Sequence, residues 1–447
     1  MSCERFAMRA LLFIAFLSGG AAWAGSLPAN PAAPLPTWQV TNSAPATNEI
    51  TLAGFLSEVA AANLDYAAQR YNVDLARAAV ALAREFPNPN LSLGDSRDLR
   101  YHGSQALPEP ASAGLDQTIE YFGKRKWRLR TAELSYRAAA ATLEDFLRNL
   151  KLDASEAYVT ALACQKTYAQ QREATEYLNR LADVQAHRFQ AGDIGETDLT
   201  QSRVDALQAE SDLLSAQNDA EVAQLALCTF LGRNRGQTVF LLQGRLEVAP
   251  RQFELSELMV NALQNRPDLV ALRHARDSAQ SGIRLARASR VPDVDVGVNY
   301  TYTTSSENDI APAPHDSMLG VSLSLPLPLW NRNRAEIETA RLTEAQAEKT
   351  LQSAELKAEV QVRQAFTTYE LMQARVGKFQ GRLLQGADDV LAAKRFSYEH
   401  GNSTLDDLLL AQSADNSVHQ AYNDALADAA KALMELARAA GLADVTL

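Results

Sequence analysis

Cysteine is nearly absent from this chain, at 3 in 447 residues, and positive charge is in deficit, with a net charge of -11 and a pI near 5.2. The acidic balance argues against nucleic acid as a partner, because a phosphate backbone binds to basic surfaces. After the first two dozen residues there is no uninterrupted apolar run of about 18 residues, so membrane-spanning helices are excluded. No glycine-rich phosphate loop with its lysine occurs, and nothing points to nucleotide binding. The six histidines, at 102, 187, 274, 315, 400 and 419, are scattered without paired ligand spacing. His187 and His400 read as unpartnered surface residues. No nucleophile or carboxylate pair sits in a recognisable catalytic setting. The chain does not read as an enzyme, and neither a cofactor nor a metal centre is expected.

What is present begins with an export signal. Arg5 and Arg9 precede the apolar run Ala10 to Leu17, and Ala22-Trp23-Ala24 supplies small residues two apart. Residues 1–24 therefore read as a cleaved signal peptide, too short to span a membrane. Cys3 leaves with it, so no lipid-bearing cysteine is expected near the cleavage site. Residues 25–48, rich in Pro and Ala, read as an extended leader.

Proline is missing from Lys124 to Leu231, where small and apolar residues recur at alternating spacings of four and three. The outgoing series is Leu143, Leu147, Leu150, Ala154, Ala157, Ala161, Cys164, Tyr168, continuing as Gln171, Thr175, Leu178, Ala182, Gln185 and Phe189. Ala191-Gly192-Asp193-Ile194-Gly195 breaks the helix, and Thr197-Asp198 starts another. The return reads Ala206, Ala209, Leu213, Ala216, Ala220, Ala223, Leu227, Phe230. This pattern predicts an antiparallel coiled-coil hairpin with an alanine-rich seam. An arm of roughly 65 residues would reach about 100 Å, so the rod must span a distance or line a tube. In such a hairpin Cys164 faces a position about five residues short of Cys228, roughly 7.5 Å along the axis. That offset suits small buried thiols better than a disulfide.

The sequence also repeats itself. A shift of 203 pairs Leu52 with Leu255, Asp65 with Asp268, Arg70 with Arg273, Asp74 with Asp277, Pro89 with Pro292 and Gly94 with Gly297. The shift grows to 208 at Ala132 and Ala340, and to 209 at Gly192 and Gly401, and at Asp198 and Asp407. Two fused copies are expected, at 49–231 and 252–447, joined by a connector at 232–251. The second hairpin leaves near Asn333 with the seam Ala358, Val362, Ala365, Tyr369, Met372, Val376, Phe379, Leu383. It breaks at Glu399-His400-Gly401-Asn402 and returns through Leu405, Leu409, Gln412, Leu426, Leu433 and Ala440.

Between helices the period changes to two. Val294, Val296, Val298, Tyr300 and Tyr302 alternate with Asp295, Gly297, Asn299, Thr301 and Thr303, and Leu319, Val321, Leu323 and Leu325 alternate with Gly320, Ser322 and Ser324. The matching first-half stretches are Leu91-Ser92-Leu93-Gly94, and Ala113, Leu115, Ile119 and Tyr121 against their polar neighbours. Strands with one apolar face suit an outer-membrane barrel or one face of a soluble sheet; the export signal and the long helices favour the barrel. Four strands leave open edges that lipid does not tolerate, so closure demands several chains. The basic cluster Lys124, Arg125, Lys126, Arg128 and Arg130, just beyond the strands, reads as a solvated face, with contact to lipid phosphates as a second reading.

With these features the chain resembles the TolC-type outer-membrane efflux channels over almost its whole length after the signal. Glu85-Phe86-Pro87-Asn88-Pro89-Asn90-Leu91 and Glu120-Tyr121-Phe122-Gly123-Lys124-Arg125 are most similar to the heavy-metal, CzcC-like (cobalt-zinc-cadmium) branch. The resemblance implies a mainly α protein with a membrane β-barrel part. Each duplicated half gives two barrel strands and a long hairpin, and three chains close a 12-stranded barrel over an α-helical tunnel. It implies a passive exit duct in the outer membrane of a Gram-negative bacterium, with the tunnel in the periplasm. The implied partners are two further copies, a periplasmic adaptor (membrane fusion) protein, an inner-membrane RND-type pump and outer-membrane lipid. The implied cargo is heavy-metal cations, with drugs or other organic molecules as the alternative.

Site residues follow from the same resemblance. Thr197, Asp198 and Tyr398 match positions that hold the periplasmic end of the tunnel shut, and Asp407 matches an acidic ring at the constriction. Asp406 adds a carboxylate, while Ser403 replaces the family's gate arginine and Leu410 a second acidic ring. Asp198 and Asp407 also fit a purely structural role at positive helix ends. The tips Ala191, Gly192, Asp193, Ile194, Gly401, Asn402 and Ser403 are the expected adaptor contacts. A periplasmic adaptor or a coiled-coil scaffold are readings from other classes; neither accounts for the duplication together with the amphipathic strands.

Overall fold

From Ala46 onward the chain lays down one order of elements twice. The computed structural model describes residues 46–96, 108–233, 238–244, 246, 250–306 and 312–442. The predicted signal at 1–24 and nearly all of the leader lie outside the described residues, which belong, Ala46 apart, to a single unit from Thr47 to Leu447. The first series is β1 (Ala46–Thr51), α1 (Leu52–Ala62), α2 (Leu64–Arg84), β2 (Asn90–Asp95), β3 (Pro110–Ile119), α3 (Lys124–Ala191) and α4 (Glu196–Phe230). The second is β4 (Thr238–Gln243), α5 (Leu255–Asn265), α6 (Pro267–Ala288), β5 (Val294–Thr303), β6 (Asp316–Ser324), α7 (Arg334–Lys378), a π-helical turn (Phe379–Leu383), α8 (Leu384–Glu399) and α9 (Leu405–Ala440). α1 and α5 start 203 residues apart, as do α2 and α6, and α4 and α9 start 209 apart.

Equivalent contacts recur with the elements. Asn63 is buried between α1 and α2; its Oδ1 accepts from the Tyr66 N–H at 2.8 Å and its Nδ2 donates to the Phe230 carbonyl at 3.1 Å. At the equivalent place in the second half Arg266 is buried and donates to the Ala439 carbonyl at 3.2 Å. Burial alone would raise the Asp268 carboxyl, but the Arg266 guanidinium and the Leu269 N–H hold it below the usual carboxylate range. Gly232 and Gly441 close α4 and α9 at φ of 62° and 71°. Each is hemmed in, since an added Cβ would lie 3.1 Å from the Ala62 carbonyl or 3.0 Å from Arg266 Cγ. Tyr158 and Tyr369 do a similar job in the two halves from positions that are not in repeat register, since the shift of 208 sets Tyr158 against Phe366. The Tyr158 hydroxyl lies 2.8 Å from the carbonyls of Ile50 and Gln243, and that of Tyr369 is 2.9 Å from the Arg251 carbonyl.

α3 runs 68 residues without interruption, about 100 Å. It packs against α2, α6, α4 and α9. Leu150, Ala154, Ala161 and Thr175 are buried on one side and Ala206, Ala209, Ala216 and Leu227 on the other. The Thr175 hydroxyl sits 3.1 Å from the Ala209 carbonyl, a side-chain-to-backbone approach that small seam residues permit. The main core gathers Phe55, Val59, Tyr158, Leu227, Leu231, Leu242 and Met434, each apolar side chain contributing about 1.5–3 kcal/mol. Cys164 and Cys228 are not joined in a disulfide; Cys228 is buried, as expected, while Cys164 is only half-buried.

The four expected strands form one antiparallel sheet in the order β2-β3-β5-β6. Its register aligns side chains in rows: Leu91, Leu115, Val298 and Val321 lie side by side, as do Leu93, Ala113, Tyr300 and Leu319. All of these except Ala113 are exposed large apolar residues, Val321 at 78% and Leu319 at 75%. The other face is small and polar. A Cβ at Gly297 would fall 2.1 Å from Asp116 Oδ1, so glycine there lets the aspartate lie flat across the sheet. β3 stops at Ile119, two residues before Tyr121.

Three features depart from expectation. β1 and β4 pair in a second, two-stranded sheet, so the end of the leader and the connector both carry strand. Lys124, Arg125 and Arg128 are consumed within the chain rather than solvated. Lys124, 8% exposed, pairs with Asp293 at 2.7 Å; Arg128 grips Glu120 at 2.5 and 3.1 Å; Arg125 stacks on Phe86 and donates to the Arg84 carbonyl. These contacts tie the strands to the helix ends. Finally, the seam of the second outgoing arm does not run through Leu383, which is 47% exposed. The π turn at Phe379–Leu383 inserts one residue, and the inward positions become Leu384, Ala387, Leu391 and Tyr398.

Asn63→Ala leaves a buried carbonyl and an N-terminal helix N–H unpaired, a loss of about 1–3 kcal/mol. A lower midpoint for thermal loss of the helical circular dichroism signal checks it, with Asn63→Asp, which keeps the cap acceptor alone, falling between.

Candidate functional site at the hairpin tips

Both hairpins turn by the same device. α3 ends at Gly192, φ +85°, where the Gly192 N–H donates to the Phe189 carbonyl at 3.0 Å and the Asp193 N–H to that of Arg188 at 2.9 Å. In the second hairpin Gly401, φ +74°, donates to the Tyr398 carbonyl at 3.0 Å and Asn402 to that of Ser397 at 2.8 Å. Glycine at these left-handed positions lets the last carbonyls of each helix find partners within a few residues. Ala191, Gly192, Asp193, Gly401 and Asn402 are exposed at the turns, with Ile194 and Ser403 half-buried. The following helices start at Glu196 and Leu405, the second capped by Thr404, whose hydroxyl accepts from the Asp407 N–H at 3.2 Å.

The gate candidates divide into two groups. Tyr398 belongs to a small core with Leu181, Leu391, Leu408 and Ala411 that joins α3 to the second hairpin. Its hydroxyl accepts from Arg188 Nη1 at 3.0 Å and from Gln185 Nε2, a side chain only 1% exposed. Tyr398 thus latches the two hairpins together within one chain. Asp407 accepts from Ser403 Oγ at 3.1 Å and pairs with Lys394 Nζ at 3.2 Å. The hydrogen bond from Lys394, then that from Ser403, holds the Asp407 carboxyl below the usual carboxylate range. A depressed carboxyl contributes its stabilisation above the ordinary value of about 3.9 and loses it as pH falls through the lowered one. The pair is solvent-exposed, so its weight is small.

Thr197, Asp198 and Asp406 are exposed in the first turns of α4 and α9. Among the described residues their side chains have no hydrogen-bond partner, and within one chain the structure does not bring Thr197 or Asp198 to Tyr398. Three partners went unread in the sequence: Gln185, Arg188 and Lys394. Lys394 was the most accessible, since it lies seven residues before the Gly401 turn and Asp407 six after it, and antiparallel arms bring such positions together.

Two fused sets of paired strands and long hairpins, each ending in a glycine turn, define a recognisable architecture. Residues 55–233 and 258–442 match the family model described as outer membrane efflux protein, and the chain belongs to that family, the TolC-type channels. It is similar to the cobalt-zinc-cadmium resistance protein CzcC of Cupriavidus metallidurans, 27% identical over 251 residues, which are 56% of this chain and 58% of that one. The fusaric acid resistance protein FusA of Burkholderia cepacia is 27% identical over 231 residues, 49% and 44% of the two chains. The chain thus spans about half the length of these relatives. The crystal structure of the Campylobacter jejuni CmeC outer membrane channel superposes with a TM-score of 0.73 at 16% identity, covering 87% of this chain and 85% of that one. The protein accordingly sits in the outer membrane of a Gram-negative cell, with its helices in the periplasm.

Tyr398→Phe strips the buried Gln185 amide of its acceptor, a local loss of about 1–3 kcal/mol. Faster amide hydrogen exchange in residues 181–189 and 396–402, with α3 near Tyr158 unchanged, is the expected reading.

Proposed function

We propose that three copies of this chain close a 12-stranded barrel and a helical tunnel, forming the passive exit duct of a tripartite efflux system. One observation carries this reading. The four-stranded sheet has an exposed apolar face and two unpaired edges, β2 and β6. Hydrocarbon tolerates the face but not the edges, because each open N–H and C=O would cost several kcal/mol there. Pairing β6 of one copy with β2 of the next removes every edge without new sequence. With repeat limits of 49–231 and 252–447 and the connector at 232–251, each half of the chain contributes one hairpin and two strands to the barrel and tunnel.

An inner-membrane RND-type pump and a periplasmic adaptor deliver the cargo, and the glycine turns at Ala191–Ile194 and Gly401–Ser403 receive the adaptor. Asp407 and Asp406 line the constriction and favour cations by Coulomb attraction. Thr197 and Asp198, whose side chains have no hydrogen-bond partner among the described residues, meet neighbouring copies in the closed gate. With Lys394 and Ser403 on Asp407 instead of the family's arginine, fewer charge-assisted bonds hold that gate, each worth about 1.5–3 kcal/mol. The similarity to CzcC supports heavy-metal cations as cargo, and the similarity to FusA supports an organic molecule as the second reading.

The protein should extract from outer membranes only in detergent, as a trimer, and conduct in planar bilayers with cation preference that Asp407→Asn reduces. A water-soluble monomer, or anion preference, contradicts the reading. Deleting the gene should lower tolerance to zinc, cobalt or cadmium; sensitivity only to organic toxins would assign the second cargo.

A further inference from the structure

Twenty or so ångströms from the Gly401 turn, the two arms of the second hairpin bring together Asp388 on α8 and Asp415 and His419 on α9. Asp415 and His419 are four residues apart and share one helix face. Asp388 reaches them because of the π turn: the inserted residue makes Ala387 an inward position, which sets Asp388 at the rim of the seam, against α9. π turns recur where a helix must re-aim side chains for a function. This turn is itself pinned to α9, with Phe379 against the Tyr422 ring and Gln380 Nε2 donating to its hydroxyl at 3.2 Å.

The polar bookkeeping of the cluster is incomplete. His419 Nε2 lies 2.9 Å from Asp388 Oδ1 and 3.7 Å from Asp415 Oδ1. The longer distance is not a hydrogen bond, and one N–H cannot serve both carboxylates. Asp415 is only 8% exposed, and its Oδ1 is buried without a hydrogen-bond partner. Arg395, whose charge acts on Asp415, does not supply one. Arg395 donates to Gln412 Oε1 at 2.5 Å and lays its guanidinium over the Tyr177 ring at 4.5 Å. A buried carboxylate oxygen aimed at an imidazole nitrogen, with a second carboxylate alongside, lacks only a positive centre between them.

We propose that Asp388, Asp415 and His419 bind one divalent transition-metal ion of the zinc class between the arms of the second hairpin. The three donor atoms lie within 4.8 Å of one another. Bonds of about 2.0–2.1 Å in a tetrahedron set ligand atoms about 3.3 Å apart, and the observed 2.9 and 3.7 Å straddle that value. One nitrogen and two carboxylate oxygens suit zinc or cobalt better than calcium or magnesium, which prefer all-oxygen shells. The fourth position is left for water. Asp388 and His419 keep side-chain exposures of 58% and 35%, so an ion can enter. A bound ion would clip α8 to α9 just beyond the π turn, and this holds whichever cargo the channel carries.

The test uses full-length protein in detergent, stripped with EDTA and titrated with Zn²⁺ by calorimetry, with Co²⁺ as spectroscopic probe. The expected result is one ion per chain and a Co²⁺ spectrum of low-coordinate N/O type. His419→Ala and Asp415→Asn should each weaken binding by more than about tenfold, while His187→Ala and His400→Ala leave it unchanged. Asp415→Asn also guards against a folding artefact: in EDTA it melts at or above the parent's temperature, and only the parent's melting point rises with Zn²⁺. No binding, equal Zn²⁺ stabilisation of Asp415→Asn and parent, or a thiolate charge-transfer band on Co²⁺ would overturn the proposal.

Discussion

A strand edge facing hydrocarbon exposes a row of N–H and C=O groups with nothing to bond, and every other feature of this chain answers to that constraint. The sheet presents Leu91, Leu93, Leu115, Val298, Leu319 and Val321 on one face and glycine, serine and asparagine on the other. Its two edges cannot be satisfied from within. The helices inherit the same incompleteness: Leu207, Leu214, Leu342 and Leu356 are exposed on rod faces that the described residues of their own chain leave uncovered. A polypeptide built this way is stable as a wall segment rather than as an island.

Duplication supplies the wall economically, and the two copies differ where chemistry rather than packing is at issue. Asn63 and Arg266 occupy one position and reach equivalent carbonyls, yet Arg266 recruits Asp268 and Gln361 as well. α3 is a single uninterrupted helix, whereas its counterpart is divided by the π turn into α7 and α8. That added residue changes the helix phase of α8, the tip half of the outgoing arm, relative to α7. Tyr398 thereby meets Gln185 and Arg188, and Asp388 meets His419. The tip chemistry of this protein lies mostly on the asymmetric arm.

The fold was legible because long-period patterns survive single substitutions. Seams of Leu, Ala and Val at spacings of three and four located α3, α4 and α7, and alternation over Val294–Thr303 located β5 to the residue. The glycine turns at 192 and 401 were legible for a local reason, since a left-handed position after a helix selects glycine. The π turn left no such mark. Phe379-Gln380-Gly381-Arg382-Leu383 reads as continuing helix, and a one-residue phase change is invisible until the facing helix shows which side is buried. The spacing of Asp415 and His419 was present in the sequence, but its third member, Asp388, is reached only across the hairpin. Lys124 and Arg128 read as solvated charges because their partners, Asp293 and Glu120, are named by tertiary contact alone.

By itself the sequence determined the period of each element, the doubling of the plan and the places where the helices turn, because these depend on residues near one another along the chain. Tertiary structure decided which polar side chains find each other: Tyr398 with Gln185, Lys394 with Asp407, Asp388 with His419. Such pairings turn on helix phase and strand register, where a single residue of slip points a side chain at different neighbours, and that phase is set only when two elements pack.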